Sequence, residues 1–425
     1  MRDVVLAGAV RTPIGRFGGA LSALTVAELG AAAAREALSR AGIAAAQVDD
    51  VLFGCARQAG GGPNVARQVA WRAGIPQEVT AATINMACAS SLKAIDLAFR
   101  AVRDGDSQVV VAGGVESMSR VPYLLTGARW GMRMGDQPLV DAMYQDGFLC
   151  PLSEMVMGET AERLAGQYRI GREEQDAFAL RSQQRAGRAQ SEGRFDAEIV
   201  PVQVARVPQR MLSSNAERGF TRREALGSKI GPERGRASSE DEVVSRDEHL
   251  RPDTTAATLA KLAPVFKPEG GTVTAGNSSG ITDGAAAMVV LSAERAAELG
   301  VKPMARVVGL ASAGVDPRVM GIGVVPAVRR LLEKTSRRLE DFDLVEVNEA
   351  FAAQVIACDR ELRFDAERLN VNGGAIALGH PVGATGTRLV VTLLKELRRR
   401  GLQRGLATLC VGGGQGAALA LECGE

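Results

Sequence analysis

Alternation of apolar and polar residues along the chain predicts strands and helices in turn. Asp3 to Val10 is a short apolar stretch that predicts a strand. Thr25, followed three residues later by Glu28, predicts a capping box ahead of a helix that ends at Gly42. Further strands are predicted at residues 51–54, 79–84, 108–114, 286–291 and 343–348, and further helices at residues 64–73, 92–105, 158–168 and 172–192. This mixture of elements predicts an α/β fold.

The last third of the chain repeats the first third. Residues 343–348 echo residues 50–54, and the strand that carries Cys410 echoes the strand through Val111. A strand, a turn, a reactive residue and a helix recur around His380 as they do around Cys88, at an offset of 292 residues (380 − 88). We interpret this pattern as an internal duplication of two α/β halves, which brings equivalent loops together at one interface.

The residue composition changes between Ser119 and Gly280. Tryptophan, methionines and loop residues appear there, followed by two helices and a long polar stretch. We therefore predict an N-terminal half at residues 1–118, completed by about residues 281–295, an inserted loop domain at residues 119–280, and a C-terminal half at residues 296–425.

A glycine pair, an apolar run and a histidine just before a proline make up the stretch from Asn372 to Pro381. An amphipathic run follows it, and a proline near the first helical position favours a helix start. We therefore predict that His380 lies on a tight turn at a helix N-terminus. The second histidine of the chain, His249, lies in a polar loop, so imidazole chemistry is expected at His380.

Composition excludes several classes of protein. The 425 residues are 46% hydrophobic and only 4% aromatic, which favours closely packed α/β layers. A formal net charge of +2 argues against a dedicated nucleic-acid binder. The absence of a long apolar run and of a signal-peptide pattern predicts a soluble cytoplasmic chain that does not engage a membrane. Six scattered cysteines without a CxxC pair fit reduced thiols, and we expect no metal.

The long polar stretch is strongly basic. Residues 206–239 hold eight basic side chains against three acidic ones. Such a run is most simply a solvated, mobile loop, and its alternative is a surface that binds anions such as phosphates.

Three further positions could carry chemistry. Cys88 lies between a strand and a helix N-terminus, where N–H groups and the helix dipole lower a thiol pKa, although most cysteines in that position are core residues. Cys410 precedes Gly412-Gly413-Gly414, whose backbone N–H groups could bind an oxyanion, although such a glycine run could equally be a phosphate loop or a turn. Asn348 ends a strand, where its amide could fix a water or simply form a turn.

Taken together, these elements resemble the thiolase family over essentially the whole chain. Six motifs carry the resemblance, in order: Arg11-Thr12-Pro13-Ile14-Gly15, Asn85-Met86-Ala87-Cys88-Ala89-Ser90, Thr274-Ala275-Gly276-Asn277-Ser278-Ser279-Gly280, Asn348-Glu349-Ala350-Phe351, the His380 loop and the Cys410 loop. The resemblance implies two duplicated βαβαβ-type halves in a five-layer α-β-α-β-α sandwich with an inserted loop domain. It also implies a homotetramer built from dimers and a place in fatty acid metabolism.

The resemblance also implies roles for individual residues. Cys88 would be the acylated nucleophile, His380 would accept its proton, and Cys410 would be the acid/base at the α-carbon. Asn348 would hold a water at one oxyanion site, and the N–H groups of Cys88 and Gly412 would form another. Ser279 would contact the pantetheine, and Met157 and Met320 would line the acyl pocket. Phe351 and Arg251 are further candidates for contact with the acyl-CoA substrate.

The implied activity is reversible acyl transfer between an enzyme cysteine and coenzyme A. It would cleave 3-ketoacyl-CoA or condense two acetyl-CoA, as an acetyl-CoA C-acetyltransferase or an acetyl-CoA C-acyltransferase, with coenzyme A as a substrate and no permanently bound cofactor. We hypothesise that the basic stretch 206–239 covers the nucleotide end of coenzyme A. Val156 stands where many acetoacetyl-CoA-specific members carry a histidine, and residues 176–184 and 318–323 are more similar to degradative members, including the 3-oxoadipyl-CoA thiolases.

Rival interpretations fit the residues less well. A ketoacyl-synthase-like condensing enzyme usually needs a second histidine, and this chain has Asn348 there. A non-catalytic acyl-CoA or lipid carrier of the same shape typically lacks a catalytic residue, and this chain keeps all four. A Rossmann dehydrogenase requires a GxGxxG after the first strand, which is absent. A role in RNA binding would depend on the basic, arginine-rich stretch at residues 206–239.

Overall fold

The structure is a computed structural model that describes residues 2–205 and 242–424. The basic stretch 206–239 lies outside these described residues. The strands are β1 Val4–Arg11, β2 Gly15–Arg16, β3 Asp50–Gly54, β4 Thr80–Ile84, β5 Val109–Ser117, β6 Tyr123–Leu124, β7 Val140–Asp141, β8 Leu149–Cys150, β9 Met155–Val156, β10 Val202–Val204, β11 Glu242–Val244, β12 Thr282–Ser292, β13 Ala305–Gly314, β14 Leu344–Val347, β15 Arg404–Val411 and β16 Gln415–Glu422.

The α-helices follow the predicted pattern with small differences at their ends. They are α1 Val26–Ala41, α2 Val65–Arg72, α3 Ser90–Asp104, α4 Met157–Gln167, α5 Arg172–Ser191, α6 Ala256–Ala260, α7 Ala293–Glu298, α8 Val324–Thr335, α9 Ala352–Leu362, α10 Ala375–Leu378 and α11 Thr385–Arg400. No helix among the described residues is long and apolar enough to cross a membrane.

The large sheet shows the internal duplication. Among the described residues its strand order is β14-β15-β16-β13-β1-β12-β5-β3-β4, with β2 paired to β12. The N-terminal run β1-β12-β5-β3-β4 has the same order and directions as the C-terminal run β13-β16-β15-β14, and a short β1–β13 pairing joins the two. In the second run a bridge between Val345 and Leu369 occupies the position of β4. The predicted duplication of two α/β halves is confirmed.

Side chains at successive positions of a strand point to opposite faces of the sheet, and they divide the interior into three apolar layers. In β5, Val109 and Val111 pack with α1 and α2 on one face, whereas Val110 and Ala112 face α3 and α11 on the other. The second half packs one face of β15 on that same central pair of helices and its other face on α8 and α9. Each layer of helices is thus sealed by a sheet face, and the result is the expected five-layer sandwich.

Local signals set most helix ends. Thr25 and Glu28 form the predicted capping box of α1, and Gly42 ends the helix in a left-handed conformation with φ of 69°. The helix start predicted at Pro381 was wrong by one turn. The Pro381 carbonyl accepts the N–H groups of Ala384 and Thr385, which closes a turn before α11 begins.

Residues 119–280, which we propose as the inserted domain, contain α4, α5, α6 and several short two-stranded pairs. The chain rejoins the large sheet at β12, which pairs with β1 and β5. We propose on this basis that the N-terminal half is completed by the strand after residue 280.

A buried ion-pair network ties this segment to β1. Arg11 is 1% exposed and pairs with Glu198 at 2.6 Å and with both oxygens of Asp247 at 2.7 and 2.8 Å. Asp247 also accepts the N–H of Ile14. Because all three charges lie out of water, each depends on the others for its solvation.

We predict that Arg11→Met lowers the free energy of unfolding by about 3–5 kcal/mol, because two carboxylates would remain buried without a cation. Urea-induced unfolding followed by circular dichroism measures this loss. The control is Arg16→Met, since the Arg16–Glu248 pair is largely exposed on the arginine side (66%), and it should cost less than ~1 kcal/mol. Equal losses in the two variants would contradict a stabilising role for the buried network.

Candidate active site

The reactive residues collect where parallel strands end. Cys88 follows β4, Asn348 follows β14 directly, and Cys410 lies near the end of β15. Since β3, β4 and β5 run parallel, as do β14 and β15, their carboxyl ends open at common edges of the sheet. The duplication therefore brings the Cys88 loop of one half to the His380 loop of the other.

A strained turn presents Cys88. Ala87, directly before it, has φ of 44°, in the left-handed region that non-glycine residues avoid. The Asn85 side chain accepts the N–H of Ala87, and the Ser90 hydroxyl accepts the N–H of Met86 while it donates to the Ala87 carbonyl. These side chains hold a turn that the backbone would not adopt unaided, two residues before α3 begins.

The thiol of Cys88 is not pre-ionised. Burial raises the pKa of Cys88, and the Gly412 N–H and the charge of Arg57 oppose that shift without reversing it. The prediction of a lowered thiol pKa at this helix N-terminus was therefore wrong, because the loss of hydration outweighs the helix end. Cys88 rests as a thiol whose sulfur already lies against the Gly412 N–H.

The ring of His380 is held by contacts at both nitrogens. Nδ1 lies 2.6 Å from the Thr385 hydroxyl, which in turn lies 3.0 Å from the Pro381 carbonyl, and Nε2 lies 3.5 Å from the Asn348 amide nitrogen. A carbonyl oxygen can only accept, so the Thr385 hydroxyl donates its hydrogen bond to the Pro381 carbonyl. The hydroxyl oxygen then accepts a hydrogen bond from Nδ1–H of His380. Nε2 then carries the lone pair, as a general base requires, and His380 lines the same cavity as Cys88.

His380 is also kept neutral. Burial, followed by the positive charges of Arg388 and Arg57, lowers the pKa of His380 to about 3. Because the imidazolium is disfavoured, no resting thiolate–imidazolium pair forms with Cys88.

Asn348 lies fully buried beside this ring. Its backbone N–H bonds the Thr408 carbonyl, which fixes the residue at the end of β14. Its side-chain Oδ1 has no hydrogen-bond partner among the described residues. An unpartnered buried amide oxygen next to an imidazole fits the binding of a water or a substrate group.

Cys410 lies behind the reactive cysteine. It is fully buried, and burial raises the pKa of the Cys410 thiol well above its usual range, with the neighbouring Cys88 as the next cause. The turn after it uses positive φ at Gly413 and Gly414, 87° and 83°, to return the chain into β16. This turn aims the Gly412 N–H at the Cys88 sulfur.

Two buried carboxylates hold the His380 loop, and sequence inspection alone did not single them out. Glu116 of β5 accepts the N–H groups of Ala56, Arg57 and Gly383. Glu349 accepts from Ser182, Asn370 and the N–H of Ile376. One carboxylate from each half therefore fixes the segment on either side of His380.

A cavity of about 690 Å³ opens onto these groups. All five residues predicted to bind substrate line it, together with Cys88, His380 and Gly412: Met157, Met320, Phe351, Ser279 and Arg251. Asn348 and Cys410 are not on its surface and lie buried behind it. The structure thus assembles every predicted site residue around one space.

Several lining residues were missed in the sequence. They are Arg57, Phe148, Phe266, Val382 and His249. His249 packs against Gly280 and is half-buried, and this burial together with the charge of Arg251 lowers its pKa to about 4. Its run with Glu248 and Arg251 looked like an ordinary polar loop, and no periodic signal distinguishes a loop that folds over a cavity.

A half-buried thiol, an imidazole whose Nε2 carries the lone pair, a second, buried thiol and N–H donors around one cavity define a cysteine-dependent acyltransferase. The comparisons make the class specific. The chain matches the thiolase N-terminal domain over residues 4–228 and 213–294 and the thiolase C-terminal domain over residues 301–423. It belongs to the thiolase family.

Relatives and solved structures agree over the full length. The chain is 50% identical to an acetyl-CoA acetyltransferase of Syntrophomonas wolfei, and 48% identical to a beta-ketoadipyl-CoA thiolase of Pseudomonas aeruginosa, with 99% of each chain covered in both cases. It superposes on human mitochondrial 3-ketoacyl-CoA thiolase in complex with CoA with a TM-score of 0.89, at 39% identity, covering 100% of this chain and 98% of that one.

We predict that alkylation of Cys88 by iodoacetamide accelerates roughly tenfold per pH unit from pH 6 to 9 without reaching a plateau, because only the thiolate reacts and its pKa is raised. Mass spectrometry of the modified peptide gives the rate. A plateau near neutral pH would reveal an ion pair with His380 and contradict the neutral resting state.

We also predict that Thr385→Val lowers kcat about 10²-fold with little change in KM, because Nδ1 loses its acceptor and the ring can present the wrong tautomer. The matched control is Thr387→Val in the same helix, since that equally buried hydroxyl has no partner among the described residues. Similar effects of the two variants on kcat would refute the orienting role of Thr385.

Proposed function

We propose that this thiolase transfers acyl groups reversibly between coenzyme A and Cys88. In the degradative direction it cleaves a 3-ketoacyl-CoA into acetyl-CoA and a shortened acyl-CoA, and in reverse it condenses two acetyl-CoA. The single observation that carries this proposal is the convergence of Cys88, His380 and Gly412 on one cavity, with Cys410 directly behind. No observation supports a non-catalytic carrier.

The first half-reaction breaks a carbon–carbon bond. His380 Nε2 takes the proton of Cys88 while the sulfur attacks the 3-keto carbon, so that proton transfer accompanies C–S bond formation. The bond between C2 and C3 then breaks, and the Cys410 thiol protonates the carbanion at C2 to release acetyl-CoA. A thiol of raised pKa suits this task, because its conjugate thiolate can also remove the weakly acidic α-proton in reverse.

The second half-reaction restores both thiols. Coenzyme A gives its thiol proton to the Cys410 thiolate and attacks the Cys88 thioester through its sulfur. The C–S bond to Cys88 breaks, and the leaving thiolate recovers its proton from His380. One thioester is exchanged for another, so the free-energy change is small and the reaction runs in both directions.

Two sets of donors are proposed to stabilise the oxyanions. The N–H groups of Cys88 and Gly412 face the carbonyl attached to the Cys88 sulfur. His380 and a water held by the unpartnered Asn348 Oδ1 face the thioester carbonyl of the acetyl unit. Preorganised donors in a site closed to bulk water account for a large share of such catalysis.

Coenzyme A is the substrate we assign to the outer part of the cavity. Ser279 is fixed by its N–H bond to the Ala350 carbonyl and faces the path to Cys88 beside Phe351. A second cavity of about 450 Å³ shares His249, Leu250 and Arg251 with the first. We assign the pantetheine to the first cavity and the nucleotide to the second, where Arg251 supplies a cation.

Assembly and setting are proposed from the family. We propose a cytoplasmic homotetramer that acts on acyl-CoA, with a role in fatty acid or related acyl-CoA breakdown. Val156 lines the cavity, and a valine there leaves space beside the acyl chain, which favours an acetyl-CoA C-acyltransferase over an enzyme restricted to acetoacetyl-CoA.

We predict that Cys88→Ala abolishes acetylation by acetyl-CoA, whereas Cys410→Ala still becomes acetylated at Cys88 but loses acetoacetyl-CoA thiolysis by about 10²–10⁴-fold. Intact-protein mass spectrometry detects the acetyl group, and enolate absorbance follows thiolysis. The control is Cys358→Ala, an equally buried cysteine in the same apolar layer as Cys410, which should stay active. Thiolysis by Cys88→Ala would refute the assigned nucleophile.

A further inference from the structure

Arg57 is a buried cation without a directly paired carboxylate among the described residues. It is 8% exposed, and its Nε has no hydrogen-bond partner among the described residues. Within the described part of the chain it also forms no ion pair, and its only aromatic contact is with Phe148, whose ring centroid lies 5.8 Å from the guanidinium carbon. A buried guanidinium ordinarily has a carboxylate or several acceptors, because its lost hydration must be replaced.

The neighbouring carboxylate, Glu116, has its hydrogen-bond acceptor positions taken by other donors. Glu116 accepts the N–H groups of Ala56, Arg57 and Gly383, and the Cys55 thiol lies 3.6 Å from it. These four donors occupy the acceptor positions of one carboxylate. Glu116 therefore bonds the backbone N–H of Arg57. Its charge acts on the guanidinium, but the two side chains form no direct ion pair among the described residues.

The guanidinium of Arg57 lines the cavity that holds Cys88. Phe148, Val382 and Cys88 pack together and line the same cavity. A chain attached to the Cys88 sulfur therefore has apolar surface and the Arg57 cation in one space. Arg16 lines this cavity too, but it forms an ion pair with Glu248, whose Oε1 lies 3.0 Å from the Arg16 Nε.

The far side of Arg57 is also positive. Arg57 borders a second, smaller cavity of about 130 Å³, which Arg72 and Arg120 also line and no carboxylate does. Arg72 and Arg120 therefore add positive charge on this side of Arg57, which the single neighbouring carboxylate, Glu116, offsets only in part.

From these contacts we infer that Arg57 binds a carboxylate at the far end of the acyl chain, so that the substrates of this enzyme are dicarboxylic 3-oxoacyl-CoA thioesters. This inference rests on the proposed thiolase function and specifies its substrate class. The planar guanidinium can hold such a carboxylate through two N–H groups at once.

The test compares substrates that differ only at the chain end. Thiolysis of 3-oxoadipyl-CoA and of 3-oxohexanoyl-CoA, which have acyl chains of equal length, is measured as kcat/KM, and longer matched pairs locate the best chain length. We expect wild-type enzyme to favour the dicarboxylic member of at least one pair by roughly 10- to 100-fold. Arg57→Met should bring the ratio of the two kcat/KM values close to one. Arg57→Lys should retain part of the preference, because lysine keeps the charge but lacks the planar guanidinium that donates two N–H groups at once.

Arg16→Met is the control, because Arg16 lines the same cavity with its charge already paired, and it should leave the ratio unchanged. A wild-type preference for the monocarboxylic member of every pair would overturn the inference while leaving thiolase function intact. Equal losses on both substrates in Arg57→Met would also overturn it, since they indicate a structural role. Absence of turnover with both pairs and with acetoacetyl-CoA would instead refute the proposed function on which the inference rests.

Discussion

The position of His380 depends on two buried carboxylates, one from each half of the duplicated fold. Glu116 bonds the N–H of Gly383 after the histidine, and Glu349 bonds the N–H of Ile376 before it. Among the described residues, the hydrogen-bond partners of these carboxylates are donors, so both side chains act as acceptors away from bulk solvent. The two halves must be docked for the loop to take its shape, and the site exists only in the assembled sandwich.

Burial then decides the protonation states. The same exclusion of water that strengthens the hydrogen bonds around His380 lowers its pKa and raises those of Cys88 and Cys410. The site therefore rests with two thiols and a neutral imidazole. Charge arises only when substrate places its carbonyl among the donors, which ties proton transfer to bond formation.

Close approach of backbone makes this docking possible. The Gly383 carbonyl lies directly against Gly54, the last residue of β3, and against Gly114 in β5. A Cβ on either glycine would overlap this carbonyl. The absence of side chains at these two positions lets the His380 loop of one half reach the strand ends of the other. The cavity beside Cys88 is built on that contact, and Arg57, which follows β3, is carried into it.

The sequence by itself determined the α/β class and the duplication, because hydrophobic periodicity and the order of motifs are local properties of the chain. For the same reason it singled out the four residues that we propose as catalytic, which are Cys88, Asn348, His380 and Cys410. It did not reveal Glu116, Arg57 or His249, since a buried carboxylate, an unpaired arginine and a cavity-lining histidine look like ordinary polar residues in one dimension. The raised pKa of Cys88 was likewise decided by tertiary structure. Its helix end is encoded locally, but the loss of hydration comes from segments hundreds of residues away, and that desolvation outweighs the helix end.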